Sequence, residues 1–193
     1  MPAAPFLIAG LGNPGPEYAE TRHNAGFWFL DALARKHHVD LRSDKRCAGD
    51  VGELMAGNHR CRLLKPTTFM NHSGRSLAAL ANYYNISADQ IVVVYDEIDL
   101  PPGSVKFKFQ GGHGGHNGLR DIIQHLGTPD FHRVRIGVGH PGHKDQVVPY
   151  VLGRPSKSDC ELIVQSIDRM LDEVPALLRG EYEALMHRLH SNR

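Results

Sequence analysis

Cysteine is scarce and scattered. Cys47, Cys61 and Cys160 are odd in number and show no C-x-x-C spacing, which argues against a disulfide framework and favours free thiols in a reducing compartment. Net charge is nearly absent as well: 22 Lys and Arg stand against 21 Asp and Glu. A polyanionic partner must therefore be met by a local patch, not by a uniformly basic surface. No apolar run approaches a membrane span. The opening MPAAPFLIAG has neither the charged flank nor the long apolar stretch of a signal peptide. Internal repeats, low-complexity tracts and linkers are missing too. What remains is 193 residues, 41% of them hydrophobic, which is expected to form one cytosolic α/β domain with a proper core.

The chain is organised around VVVYDEIDLPPGSVKFKFQGGHGGHN, from Val92 to Asn117. Ile91–Val94 is an unbroken β-branched run, the pattern of a strand buried on both faces. Carboxylates follow at Asp96 and Glu97, past the end of the strand, where open α/β sheets bind ligands. A turn at Pro101-Pro102-Gly103 leads to a second strand with Lys106 and Lys108 on one face. The stretch closes on a glycine loop, Gly111 to Gly115, which runs through His116 and Asn117 into a helix.

Elsewhere, Phe6–Ala9 reads as a buried strand and a helix is expected from about Asn24, with Phe27, Leu30, Leu33 and Ala34 inward. Val51–Ala56 and Arg60–Leu64 form a hairpin around Gly57-Asn58. Leu77, Leu80, Ala81 and Tyr84 mark a second helix, and Ser87-Ala88-Asp89-Gln90 has capping-box form. Leu119, Ile122, Ile123 and Leu126 suit a helix stopped by Gly127, before a strand at Val134–Val138. A further capping box at Ser158–Glu161 opens a long apolar-periodic helix through Leu178, broken at Gly180 before a terminal one.

The string Gly10-Leu11-Gly12-Asn13-Pro14-Gly15 formally matches the dinucleotide fingerprint G-x-G-x-x-G, but its last glycine is not followed at once by a helix. Ser73 and Ser76 lack the nucleophile elbow. His113/His116 and His140/His143 are spaced three apart, yet with 13 histidines chance pairs are expected and no cysteine joins them. Water is the better nucleophile. Asn13, His23, Asn71 and Asp96 all fall near strand ends. A histidine beside a carboxylate is the minimal general base, and asparagine amides bind a peptide backbone or an oxyanion without adding charge. The amino-terminal dipole of a helix starting just after His23 and a carboxylate neighbour would pull its basicity in opposite directions. Lys106, Lys108, Arg133, Arg135 and Lys144 are candidates for one basic face toward phosphates.

Four blocks then occur together: GLGNPGPEYAETRHNAG (Gly10–Gly26), KPTTFMNHSG (Lys65–Gly74), YDEIDLPPG (Tyr95–Gly103) and GGHGGHNGL (Gly111–Leu119). In content and order they strongly resemble bacterial peptidyl-tRNA hydrolase, and the resemblance covers nearly the whole chain. It implies a monomeric, cytoplasmic α/β protein with a mixed twisted central sheet flanked by helices, C-terminal helices, and neither cofactor nor metal. The implied reaction is hydrolysis of the ester joining a peptide to tRNA. By position, His23 matches the catalytic base, Asp96 the residue stabilising its basic form, and Asn13 the residue discriminating N-blocked from free aminoacyl-tRNA. Tyr18, Phe69, Asn71 and Asn117 match positions binding the peptidyl-tRNA terminus, while Met70 and His116 match neighbours lining the cleft. Lys108 and Arg135 match residues facing tRNA phosphates, with Lys106 and Lys144 beside them as candidates. Tyr95 replaces a histidine of many members, and Gln110 and Asp121 also vary. On this reading Asp96→Asn costs less turnover than loss of His23. A non-catalytic RNA-binding module on the same fold is the competing expectation, and the intact His23, Asp96, Asn13 and Asn71 set argues against it.

Overall fold

A computed structural model describes residues 4–191. Seven strands form one mixed sheet in the order β2-β3-β4-β1-β5-β7-β6. They are β1 (Leu7–Gly10), β2 (Arg42–Asp44), β3 (Gly49–Ala56), β4 (His59–Pro66), β5 (Ile91–Glu97), β6 (Val105–Phe109) and β7 (His132–Gly137). The central strands β4, β1, β5 and β7 run parallel, whereas β2, β3 and β6 join antiparallel at the two sides. The expected hairpin closes at Gly57, whose φ of +62° only glycine adopts cheaply. The three-residue edge strand β2 carries no apolar pattern and is not anticipated by the sequence.

The helices are α1 (Ala25–Lys36), α2 (Ser73–Tyr83), α3 (Asn117–Leu126), α4 (Val147–Val151), α5 (Lys157–Asp172), α6 (Val174–Leu178) and α7 (Tyr182–Ser191). The long tail helix expected through Leu178 is in fact two, divided at Glu173 ahead of Pro175, which sits in the first turn of α6 where its missing N–H costs nothing. Its start also differs: Ser156 is the cap and accepts from Asp159 N–H at 3.1 Å. Ser158 already lies inside the helix.

The sheet has a core on each face, which explains the unbroken apolar runs. From β1, Ile8 points into one core with α1, α5, α6 and α7, while Leu7 and Ala9 point into the other with α2 and α3. From β5, Val92 and Val94 take the first face, and Ile91, Val93 and Tyr95 the second. Each such side chain contributes about 1.5–3 kcal/mol by leaving water. One close approach positions the site. A Cβ on Gly26 would lie 2.4 Å from Val94 O and 2.5 Å from Leu11 N, so only glycine lets the first turn of α1 rest on the carboxyl ends of β1 and β5. That contact carries the preceding Arg22–Asn24 turn, a single 3-10 turn, over the end of β5.

Candidate active site

His23 reaches the site from that turn, and Asp96 from the last residues of β5. They are 73 positions apart in the chain, yet His23 Nδ1 lies 2.8 Å from Asp96 Oδ2. The carboxylate side chain is 1% exposed and the imidazole 11%. Burial pulls the His23 pKa down, but the charge and hydrogen bond of Asp96 outweigh it, so the ring is more basic than ordinary histidine. Burial likewise pushes the Asp96 carboxyl up, and the two imidazoles beside it, His23 and His116, hold it well below the usual range. The carboxylate is therefore ionised and accepts. His23 Nδ1 donates, which leaves the Nε2 lone pair for a proton from water.

The second imidazole is His116, whose Nε2 lies 2.9 Å from Asp96 Oδ1. Its Nδ1 accepts from Leu119 N–H at 3.2 Å and so caps α3. A ring that accepts at Nδ1 carries its proton at Nε2, and His116 therefore donates to Asp96 as well. His23, Asp96 and His116 also form a group of metal-ligating type, with donor atoms within 4.8 Å of one another. A metal would need a free lone pair on His116 Nε2, and the cap puts a proton there. The donor chemistry fits a proton network. The other histidine spacings are used in turns: His113 Nδ1 accepts from Gly115 N–H and His140 Nδ1 from Gly142 N–H, both at 2.9 Å.

Asn13 is held by three bonds. Its backbone N–H donates to Asn24 Oδ1 at 2.8 Å, its carbonyl accepts from Asn24 Nδ2 at 3.0 Å, and its Oδ1 accepts from Met70 N–H at 2.7 Å. With the side-chain oxygen taken, the amide hydrogens are the group that Asn13 has left to offer. Asn24, 2% exposed, is a residue that the sequence did not single out. Its only signal was a place beside His23 in a block already marked.

Not all candidates share one cavity. His23, Asp96, His116, Asn117 and Lys144 line a space of about 500 Å³, walled on one side by Val147, Val148 and Val151. Asn13 and Asn24 line a second, of about 340 Å³, with Phe27, Trp28 and Lys65. Tyr18 and the half-exposed Phe69 meet edge to face at 6.2 Å, Met70 is buried, and Asn71 and Asn117 are exposed.

The basic face needs one correction. Arg133 is fully buried and donates to the carbonyls of Gly112, Gly111 and Pro129 at 2.7, 2.5 and 3.0 Å. It anchors the base of the glycine loop and is not a phosphate contact. Lys106 pairs in register with Arg135, and Lys108 with Arg133, so all four project from one face of β6 and β7. Arg135 is already engaged by Glu97 at 3.0 Å. Lys108 has its pKa lowered by burial and by the charges of Arg135 and Arg133, and it is in no ion pair among the described residues. Lys106 turns instead toward a separate cavity with Arg169 and His190, and Lys144 lies at the mouth of the His23 cavity.

Comparison with known proteins decides the family. The peptidyl-tRNA hydrolase family model matches residues 7–193. The chain belongs to the peptidyl-tRNA hydrolase family. It is 55% identical to the peptidyl-tRNA hydrolase of Halorhodospira halophila, over 96% of this chain and 95% of that one. It is 51% identical to that of Coxiella burnetii, over 96% and 97%. The crystal structure of the enzyme from Acinetobacter baumannii superposes with a TM-score of 0.93 at 45% identity, covering 96% of this chain and 94% of that one. Tyr95 and Asp121, two positions at which the sequence is expected to depart from the family pattern, have defined contacts. Tyr95 sets its ring edge on His116 at 5.1 Å. Asp121 accepts from Gly74 N–H at 2.8 Å and ties α3 to the first turn of α2.

Proposed function

We propose that this protein hydrolyses the ester of peptidyl-tRNA and releases free tRNA, with His23 as the base that activates water. The observation carrying this reading is the buried Asp96 carboxylate on His23 Nδ1, in a chain half identical to peptidyl-tRNA hydrolases along nearly its whole length. Asp96 fixes the tautomer and stabilises the imidazolium formed when His23 takes the water proton. The hydroxide adds to the ester carbonyl, the bond to the ribose oxygen breaks, and that oxygen leaves as a hydroxyl by taking back the proton held on His23. An ester needs less leaving-group assistance than an amide, so one base and neutral donors suffice. Asn13, with its oxygen fixed by Met70, turns amide hydrogens to the substrate and reads whether the amino group is blocked. Tyr18, Phe69, Asn71 and Asn117 receive the peptidyl-tRNA terminus, with Met70 and His116 beside them. No cofactor takes part.

We place the protein in the cytoplasm as a monomer acting as a single domain over residues 1–193. Among the described residues no helix is long and apolar enough to cross a membrane. The decisive test is release of N-acetyl-aminoacyl groups compared with free aminoacyl groups from tRNA. Strong preference for the blocked form is expected, and equal rates would overturn the reading.

Lys108 and Arg135 face the tRNA phosphates on this account, with Lys106 and Lys144 at the borders of the patch. Lys108 is the stronger contact, because a cation crowded by other cations gains most from an anion while Arg135 already shares Glu97. Lys108→Glu is expected to weaken tRNA binding and to reduce the slope of log affinity against log salt by about one. Arg135→Glu should do so to a smaller extent. A slope unchanged in Lys108→Glu removes that residue from the phosphate track.

A further inference from the structure

We propose that His116 is a positioning residue for the reaction: it holds the second oxygen of Asp96, so that one carboxylate is divided between two imidazoles and His23 is not bound too tightly to its own proton. This rests on the reading of His23 as base and adds a role for the ring opposite it.

The geometry is specific. Asp96 is buried, with Oδ2 on His23 and Oδ1 on His116, at 2.8 and 2.9 Å. A carboxylate with a single imidazole partner concentrates its attraction on that ring. Such a base is stronger but stays protonated to higher pH, and a protonated base is idle. The second donor drains part of the negative charge through a charge-assisted hydrogen bond. His116 is fitted for this because its other nitrogen is fixed by the cap on α3. The ring cannot turn its lone pair to Asp96 without losing that cap. It is also held from the sides: the Tyr95 ring meets it edge-on at 5.1 Å, and the His23 ring lies 5.0 Å away, tilted by 50°.

Other charged and titratable groups face the pair. Glu97 and Asp99 follow Asp96 in the chain, and His140 and Lys144 come from the segment before α4, all lining the same cavity. Glu97 is occupied by Arg135. Among the described residues, only the two imidazoles are hydrogen-bonded by their side chains to the Asp96 carboxylate, so removing His116 changes the His23 partner directly.

The experiment is an NMR titration of the His23 ring Cε1–H in the free full-length protein, for wild type, His116→Leu and His116→Gln. It runs beside pH profiles of kcat and KM on N-acetyl-aminoacyl-tRNA and a thermal melt of each variant. His116→Leu removes the donor and should move the His23 titration to higher pH. Its activity deficit should then be at least about threefold larger at pH 6 than at pH 9, since a rise in pKa costs most where the ring is already partly protonated. His116→Gln keeps an N–H within reach of Asp96 and should restore much of the wild-type titration. If the leucine variant folds and the His23 titration stays put or moves down, the proposal is overturned. The same holds if the whole deficit is a pH-independent rise in KM, which would make His116 a substrate contact alone. Because the titration is read without substrate, it stands or falls separately from the hydrolase reading. That reading fails if wild type does not cleave the ester, whatever the imidazole does.

Discussion

Asp96→Asn is expected to reduce hydrolysis of N-acetyl-aminoacyl-tRNA by roughly 10³- to 10⁴-fold, the size of loss seen when a catalytic imidazole is forced into the wrong tautomer. The sequence alone ranks this change as milder than loss of His23, and the double donation to Asp96 explains why it is still large. An amide offers one acceptor and one donor where the carboxylate offered two acceptors. His116 is committed as a donor, because Leu119 N–H occupies its Nδ1. The asparagine oxygen must therefore face His116, and its NH₂ group faces His23 Nδ1. That nitrogen then accepts, the His23 proton moves to Nε2, and the ring has no lone pair for water. Single-turnover rates across pH measure the loss. A deficit of less than tenfold at pH 8 would mean that the tautomer argument is wrong.

His23→Ala is expected to lower kcat by at least about 100-fold, the lower end of what general base catalysis contributes, with affinity for tRNA nearly unchanged. His23 is part of the cavity wall, but its contacts run to Asp96 and not to the basic face of β6 and β7. Binding measured by competition with uncharged tRNA separates the two effects. Near-normal release by the variant would remove His23 from its role, and a collapse in tRNA affinity would point to a binding contact instead. In wild type the rate must fall on acidification through a pKa above the ordinary histidine value, because Asp96 raises it and only the neutral ring accepts a proton.

Much of this architecture was legible because it rests on local pattern. Strand β5 announces itself as a β-branched run because both of its faces are covered. The Ser87–Gln90 capping box is formed as its spacing requires, and Gly127 ends α3 with a left-handed φ of 74°. His23 and Asp96 were recognisable as chemistry by residue type, though their meeting depends on Gly26 allowing α1 to sit on β5. Other features have no local signature. Arg133 and Arg135 alternate in one strand and look alike in sequence, yet one is buried beneath a loop and the other is partly exposed beside Glu97. His116 looked like a cleft neighbour, since nothing in a glycine loop tells that both ring nitrogens are spoken for. The cap at Ser156 was missed because Ser158 offered an equally good pattern two residues later.

The single turn Arg22–Asn24 has a consequence for how such a protein can change. His23, the proposed proton acceptor, lines one cavity, while its neighbour Asn24 clamps the Asn13 backbone in the other. On the proposed roles of His23 and Asn13, speed and choosiness are geared to the same short piece of backbone. A substitution that shifts that turn is therefore expected to move both settings together, the release rate and the preference for blocked substrates.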